Sequence, residues 1–136
     1  EVFLNMLRSS DVLLQGETET LREVQLTFAQ YNVLRILRGA GKGGAPCGAV
    51  AERMVNRDPD VTRLLDRLED RGLVQRSRDK QDRRVVIAGI TSAGLALIKP
   101  LDAAIAQLHR AQLRHMSRAQ LEQLAELLAL ARTPPQ

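Results

Sequence analysis

Aromatic residues are scarce in this chain: no Trp, one Tyr and two Phe in 136 residues. Any core must therefore be built from Leu, Val, Ile and Ala, and at 44% apolar residues the chain has enough of them. It has one cysteine, Cys47, which excludes an internal disulfide and suits a reducing cytoplasm. No apolar run approaches the length of a membrane span, and no signal peptide is visible. Histidine is also scarce. His109 and His115 are six residues apart, about 600° around a helix and so on nearly opposite faces. They cannot make the paired ligands of a helical zinc site. No Ser/His/Asp or Cys/His set stands in a catalytic arrangement, so the reading is of a protein that is not an enzyme and needs no metal or cofactor. The chain opens on Glu1 rather than Met, so some native N-terminal residues are expected to be missing.

The net charge is only +4, so any electrostatic function depends on where the charge sits. Residues 71 to 84 hold six basic side chains (Arg71, Arg76, Arg78, Lys80, Arg83, Arg84) and two acidic ones (Asp79, Asp82), which equals the net charge of the whole chain. A second candidate motif fails. Gly39 to Gly44 matches Gly-x-Gly-x-x-Gly, but an amphipathic helix precedes it where a dinucleotide site needs a strand. Lys42 also lacks the following Ser or Thr of a phosphate loop. This stretch reads as a flexible turn.

The stretch from Val50 to Ile90 organises the chain. A short helix is expected from Gly48 to Val55. A second follows, with Asp58 as cap, Pro59 in the first helical position and Gly72 as the left-handed stop. Val61, Leu64, Leu65 and Leu68 form its apolar stripe, while Thr62, Arg63, Asp66, Arg67 and Asp70 face the other way. Residues 73–78 and 84–90 read as two strands of a hairpin with Asp79-Lys80-Gln81-Asp82 at its tip. Two short helices and a charged hairpin make a winged helix-turn-helix, an architecture that sets its second helix in a DNA major groove. The fold class expected is mainly α with a small β-hairpin wing.

These pieces resemble the MarR (multiple antibiotic resistance regulator) family of bacterial transcription factors. The resemblance rests on Val50-Ala51-Glu52-Arg53-Met54, on Val61 to Glu69, on Arg71-Gly72-Leu73-Val74, on Asp82-Arg83-Arg84, and on Ile90-Thr91-Ser92-Ala93-Gly94. Residues 26 to 37 are similar to the family's Leu-Thr-x-x-Gln-x-x-Val-Leu-x-x-Leu opening. It implies a cytoplasmic homodimer on a palindromic operator, working as a repressor. It also implies that the Arg of Asp-x-Arg enters the minor groove while the Asp orients it, roles that fall on Arg84 and Asp82. The expected DNA contacts are Arg57, Asp60, Thr62, Arg63, Arg67, Arg76, Arg78, Lys80, Asp82, Arg83 and Arg84. Acidic groups near phosphates weaken binding unless they cap a helix or accept from cytosine, and the role of Asp60 is left open.

Helices account for the rest. One is expected from residue 1 to about 23. Thr27 and Gln30 make a capping box for another, through Arg38. A long helix runs from Ser92 to about His115, bent at Pro100, and Ser117 with Gln120 opens the last one. Residues 1–26 and 92–136 carry more apolar helix surface than they can bury alone, so they read as a dimerisation region around a DNA-binding region at 27–91. The resemblance further implies release of DNA by a small aromatic or phenolic effector, such as an aromatic acid, in a crevice near Leu13, Phe28, Tyr31 and Arg35. Some family members are peroxide sensors with a reactive cysteine in the first helix. That helix has none here, and Cys47 reads as packing. The competing function is a winged helix used only for protein contacts, which predicts an apolar recognition face and a wing without base-reaching Arg.

Overall fold

The second helix is the centre of the molecule. In the computed structural model, which describes residues 1–56 and 60–135, α1 spans Val2–Arg22 and α2 spans Phe28–Ala40. Thr27 Oγ1 accepts from the Gln30 N–H and Gln30 Oε1 accepts from the Thr27 N–H, so the expected capping box forms. Two donors that the helix itself leaves unpaired are thereby satisfied. From this start α2 turns Tyr31, Val33, Leu34 and Leu37 inward, each at most 2% exposed. It touches α1 and, of the elements that follow, both helices of the reading head, one wing strand and the long helix after the wing, and it supports that head from behind.

The next elements are β1 (Ala45–Pro46), α3 (Cys47–Arg53), α4 (Val61–Asp70), β2 (Val74–Arg78) and β3 (Val86–Ile90). The strands form one antiparallel sheet in the order β1-β3-β2, with Val74 opposite Ile90 and Arg78 opposite Val86. The hairpin was expected, but β1 was not. It pairs Ala45 with Ala88, and the glycine run before it is what lets it approach. Gly44 has φ +68°, and a methyl group there would stand 2.3 Å from the Ala88 carbonyl oxygen. The short helix begins at Cys47 and ends at Arg53, starting one residue and stopping two residues before the expected bounds.

Two long helices complete the chain, α5 (Ser92–Gln112) and α6 (Arg118–Arg132). Thr91 fixes the start of α5. Its hydroxyl donates to the Gly72 carbonyl and accepts from the Gly94 N–H, tying the stop of α4 to the start of α5. Pro100 lies inside α5, which ends at Gln112 rather than His115. Leu21 of α1 and Ile98, Leu101 and Ile105 of α5 join the same core as the reading head. Glu17 of α1, 7% exposed, meets His109 of α5 at 3.4 Å. By contrast, α6 has no buried residue within the protomer. Among the described residues, no helix is long and apolar enough to cross a membrane.

Candidate nucleic-acid interface

Asp60 caps α4. Its carboxylate accepts from the Arg63 N–H at 3.1 Å, so the residue left open in the sequence has a structural task. The helix begins at Val61; Asp58, Pro59 and the candidate contact Arg57 lie outside the described residues. Leu65 and Leu68 bury the inner face, at 1% and 0% exposed. Thr62, Arg63, Asp66, Arg67 and Asp70 stand exposed on the outer face. At the far end Gly72 takes φ +70° and the Leu73 N–H donates to the Leu68 carbonyl. This is the left-handed closure expected there.

Arg71 was missed as a structural residue. Its guanidinium donates to the Gln25 and Val24 carbonyls at 2.7 and 3.1 Å, clamping the end of α4 onto the turn between α1 and α2. Gln25 sits in that turn at φ +56°. A partner pair 46 residues away leaves no local signal in the sequence.

The wing divides its basic residues into two groups. Arg76 has partners within the protomer. Its guanidinium reaches Asp66 at 2.5 Å and Glu69 at 3.3 Å, and its backbone N–H donates to Glu69 at 2.9 Å. Hydrogen bonds from Arg76 hold the Glu69 carboxyl below its ordinary range. Arg76 therefore joins β2 to α4 and is spent on carboxylates. Arg78 is exposed and donates to the Arg83 carbonyl at 3.0 Å, which braces the turn. The Lys80, Arg83 and Arg84 side chains stand exposed. Asp82 accepts from both the backbone N–H and Nε of Arg84 at 3.1 Å, and from its terminal nitrogen at 3.3 Å. Those bonds lower the Asp82 pKa. Arg84 remains 91% exposed despite them, so it is oriented and available at once.

Cys47 lies half-buried against the core at the start of α3. Burial pushes its thiol pKa up, against a smaller opposite pull from Arg76. That is the environment of a packing thiol rather than a reactive thiolate.

A cavity of about 600 Å³ opens between α1, α6, the N-terminus of α2 and the segment leading to α4. Leu13 and Phe28 line it, together with Val2, Met6, Leu14, Leu124 and Leu128, with Asn5, Ser9 and Ser10 of α1, and with Val55 and Asn56. The other two expected crevice residues lie elsewhere. Tyr31 is buried at 2%, with its hydroxyl 3.5 Å from Asp102. Arg35 stacks on the Tyr31 ring at 5.7 Å and borders a separate shallow groove with Asn32 and Arg38. The expected crevice of four residues is thus not one place. Phe28 stands in the first turn of α2 beside the cavity, and Tyr31 lies further along the helix, facing Asp102 of α5.

A recognition-type helix, an antiparallel wing and flanking helical arms define a winged helix-turn-helix protein. The MarR family model matches residues 26–86. A MarR transcription factor from Planctomyces limnophilus is 40% identical, with 96% of this chain and 94% of that one covered and a TM-score of 0.74. This chain belongs to the MarR family, whose members are winged-helix transcriptional regulators rather than enzymes. The HTH-type transcriptional repressor MdtR of Bacillus subtilis is 34% identical over 76 residues, which cover 56% of this chain and 48% of the repressor. The chain spans 59% of a second Bacillus subtilis regulator, YfiV. The fold also matches that of S. aureus MepR in complex with DNA, at 23% identity, TM-score 0.84 and coverage of 96% and 95%.

Proposed function

We propose that this chain is a sequence-specific DNA-binding repressor of the bacterial cytoplasm. It acts as a homodimer on a palindromic operator and is released by a small aromatic or phenolic molecule. The observation that carries the reading is the exposed face Thr62, Arg63 and Arg67 of α4 beside an Arg84 that is held by Asp82 yet 91% exposed. That pairing suits a helix reading base edges and a wing entering a neighbouring narrow groove. A protein-contact module would present an apolar face there instead. The fold shared with DNA-bound MepR supports the same reading.

Residues 27–91 would read the DNA, and 1–26 with 92–136 would dimerise. Support for the dimer comes from α6, which buries nothing in the protomer, and from Phe3, Leu4, Leu7, Leu127 and Leu130, each more than half exposed. Unpaired apolar helix faces of this extent mark an association surface. The apolar cavity between α1, α6 and the start of α2 supports control by a small molecule.

Footprinting on a selected operator tests the whole reading. Two protected half-sites, centred about one helical turn or roughly 10 base pairs apart, are expected from two recognition helices related by a dyad. A single asymmetric half-site would overturn the palindrome. Binding that is equally tight on random DNA at every salt concentration would overturn sequence recognition.

A further inference from the structure

Three consecutive residues at the end of α4 are tied to both helical arms. Arg71 reaches the turn that closes α1, donating to the Gln25 and Val24 carbonyls at 2.7 and 3.1 Å. Two charge-assisted bonds from one planar guanidinium fix direction as well as distance. That turn is itself held closed. The Leu26 N–H donates back to the Leu21 carbonyl and the Gln25 N–H to the Arg22 carbonyl, with Gln25 left-handed at φ +56°. Leu21 and Leu26 are 0% and 4% exposed, so the closure is pinned in the core. On the other side, the Gly72 carbonyl accepts from the Thr91 hydroxyl at 2.6 Å, and the Leu73 carbonyl accepts from the Thr91 N–H at 3.0 Å. Thr91 caps α5. Gly94, in the first turn of α5, packs so closely that a methyl group there would stand 2.3 Å from the Leu73 carbonyl oxygen.

We propose that residues 71–73 are the joint through which both dimer arms set the position of the recognition helix, and that Arg71 is the positioning residue that makes binding selective for the spacing of operator half-sites. The proposal rests on the reading of a homodimer on a palindrome given above. In such a dimer the separation of the two recognition helices is fixed by the arms and must be passed on to α4. One route runs through α2, which packs on α4 and on both α1 and α5. Apolar packing is non-directional and tolerates small shear. A second route runs through the joint, whose hydrogen bonds hold angle as well as distance. Arg71 makes its link to α1 with its side chain, so the link can be removed without altering the backbone or the outer face of α4.

The test measures the affinity of the full chain, by fluorescence anisotropy, for three duplexes: the selected palindrome, the same palindrome with one base pair inserted between its half-sites, and an isolated half-site. The insertion turns the second half-site by about 36° and displaces it by about 3.4 Å. In the parent it should weaken binding by about 30-fold, an ordinary size for coupling between two sites. In Arg71→Ala the penalty should shrink to about threefold, because affinity for the original palindrome falls about tenfold while the inserted one is bound as before. Affinity for the isolated half-site should stay within about twofold of the parent. Arg71→Lys keeps the charge but not the fork, and its penalty should lie between the two, at about tenfold. Circular dichroism checks folding; if the Ala variant is unfolded, the Lys variant decides, and a penalty equal to the parent's overturns the proposal. A lower melting temperature with the full spacing penalty retained would make Arg71 a structural clamp only and overturn it. So would an equal loss on half-site and palindrome with a salt slope smaller by about one, the mark of a phosphate contact. A parent that prefers the palindrome to the half-site but ignores the insertion overturns the proposal and leaves the dimer reading standing. A parent that binds palindrome and half-site equally overturns both.

Discussion

Replacing Leu127 and Leu130 together by Ala should dissociate the dimer without unfolding the protomer. Both leucines lie on α6, at 55% and 69% exposed. Full burial of a leucine side chain is worth about 2 kcal/mol. Only the part still exposed in the protomer can be gained on association, so each leucine offers roughly 1 kcal/mol. A two-fold interface uses every residue twice, which gives about 4 kcal/mol if all of that surface is covered. Coverage is incomplete at the rim, and roughly 3 kcal/mol is the working figure, or a dimer about 100-fold weaker. Sedimentation velocity over a concentration series measures the dissociation constant. Ellipticity should be retained, because α6 contributes nothing to the buried core. Operator affinity should fall in parallel, since a monomer engages only one half-site. Val55→Ala is the control, because Val55 is 67% exposed but lies on neither α1 nor α6. A dissociation constant within threefold of the parent would refute the reasoning, as would equal weakening in the Val55 variant.

Arg84→Ala should weaken operator binding by about 1–3 kcal/mol per site, more on A/T-rich than on G/C-rich flanks; an equal loss on both flanks, accompanied by a lower melting temperature, would make it a structural partner of Asp82. Arg76→Ala should lower thermal stability at low salt but leave the slope of log affinity against log salt unchanged. A slope smaller by about one would mean that Arg76 touches a phosphate after all. Arg38 donates to Asp102 at 2.5 Å and holds that carboxyl below its ordinary range. Its stabilising effect is therefore complete above the unfolded value near about 4 and is lost as pH falls through the lower folded one. Asp102→Asn should accordingly lose less melting temperature than the parent between pH 6 and pH 3. Cys47→Ser should leave DNA binding and its indifference to peroxide unchanged, and peroxide sensitivity in the parent that vanishes in the variant would make the thiol a sensor.

Local chemistry made much of this fold legible. The capping boxes at Thr27 and Ser117, the glycine stop at Gly72 and the apolar stripe of α4 are each written within a few residues, and each forms. Much of what stayed hidden depends on distant partners. β1 is two residues long, and Ala45–Pro46 has no periodicity to betray it; it exists because Gly44 lets the chain approach Ala88. The cap of α4 is Asp60, although Asp58 followed by Pro59 offered the stronger local pattern. Phe28 meets the cavity and Tyr31 meets Asp102 because α1 and α6 flank the start of α2 while α5 crosses further along it, packing that no local pattern records.

The wing shows why charge in a sequence overstates charge available to DNA. Of the six basic side chains between residues 71 and 84, Arg71 is taken up by two backbone carbonyls, Arg76 by two carboxylates and Arg78 by one carbonyl. Arg71 and Arg78 keep their charge and commit only some of their donors, and Arg76 offsets acidic groups on the very helix that would face phosphates. That last pairing changes the meaning of Asp66. Alone on the outer face of α4 it would repel DNA; held by Arg76 it fixes the angle between helix and wing. Among the described residues of α4 and the wing, the basic groups proposed to meet a phosphate backbone are Lys80, Arg83 and Arg84 with Arg63 and Arg67. Half of the basic cluster thus sets the geometry in which the other half can act.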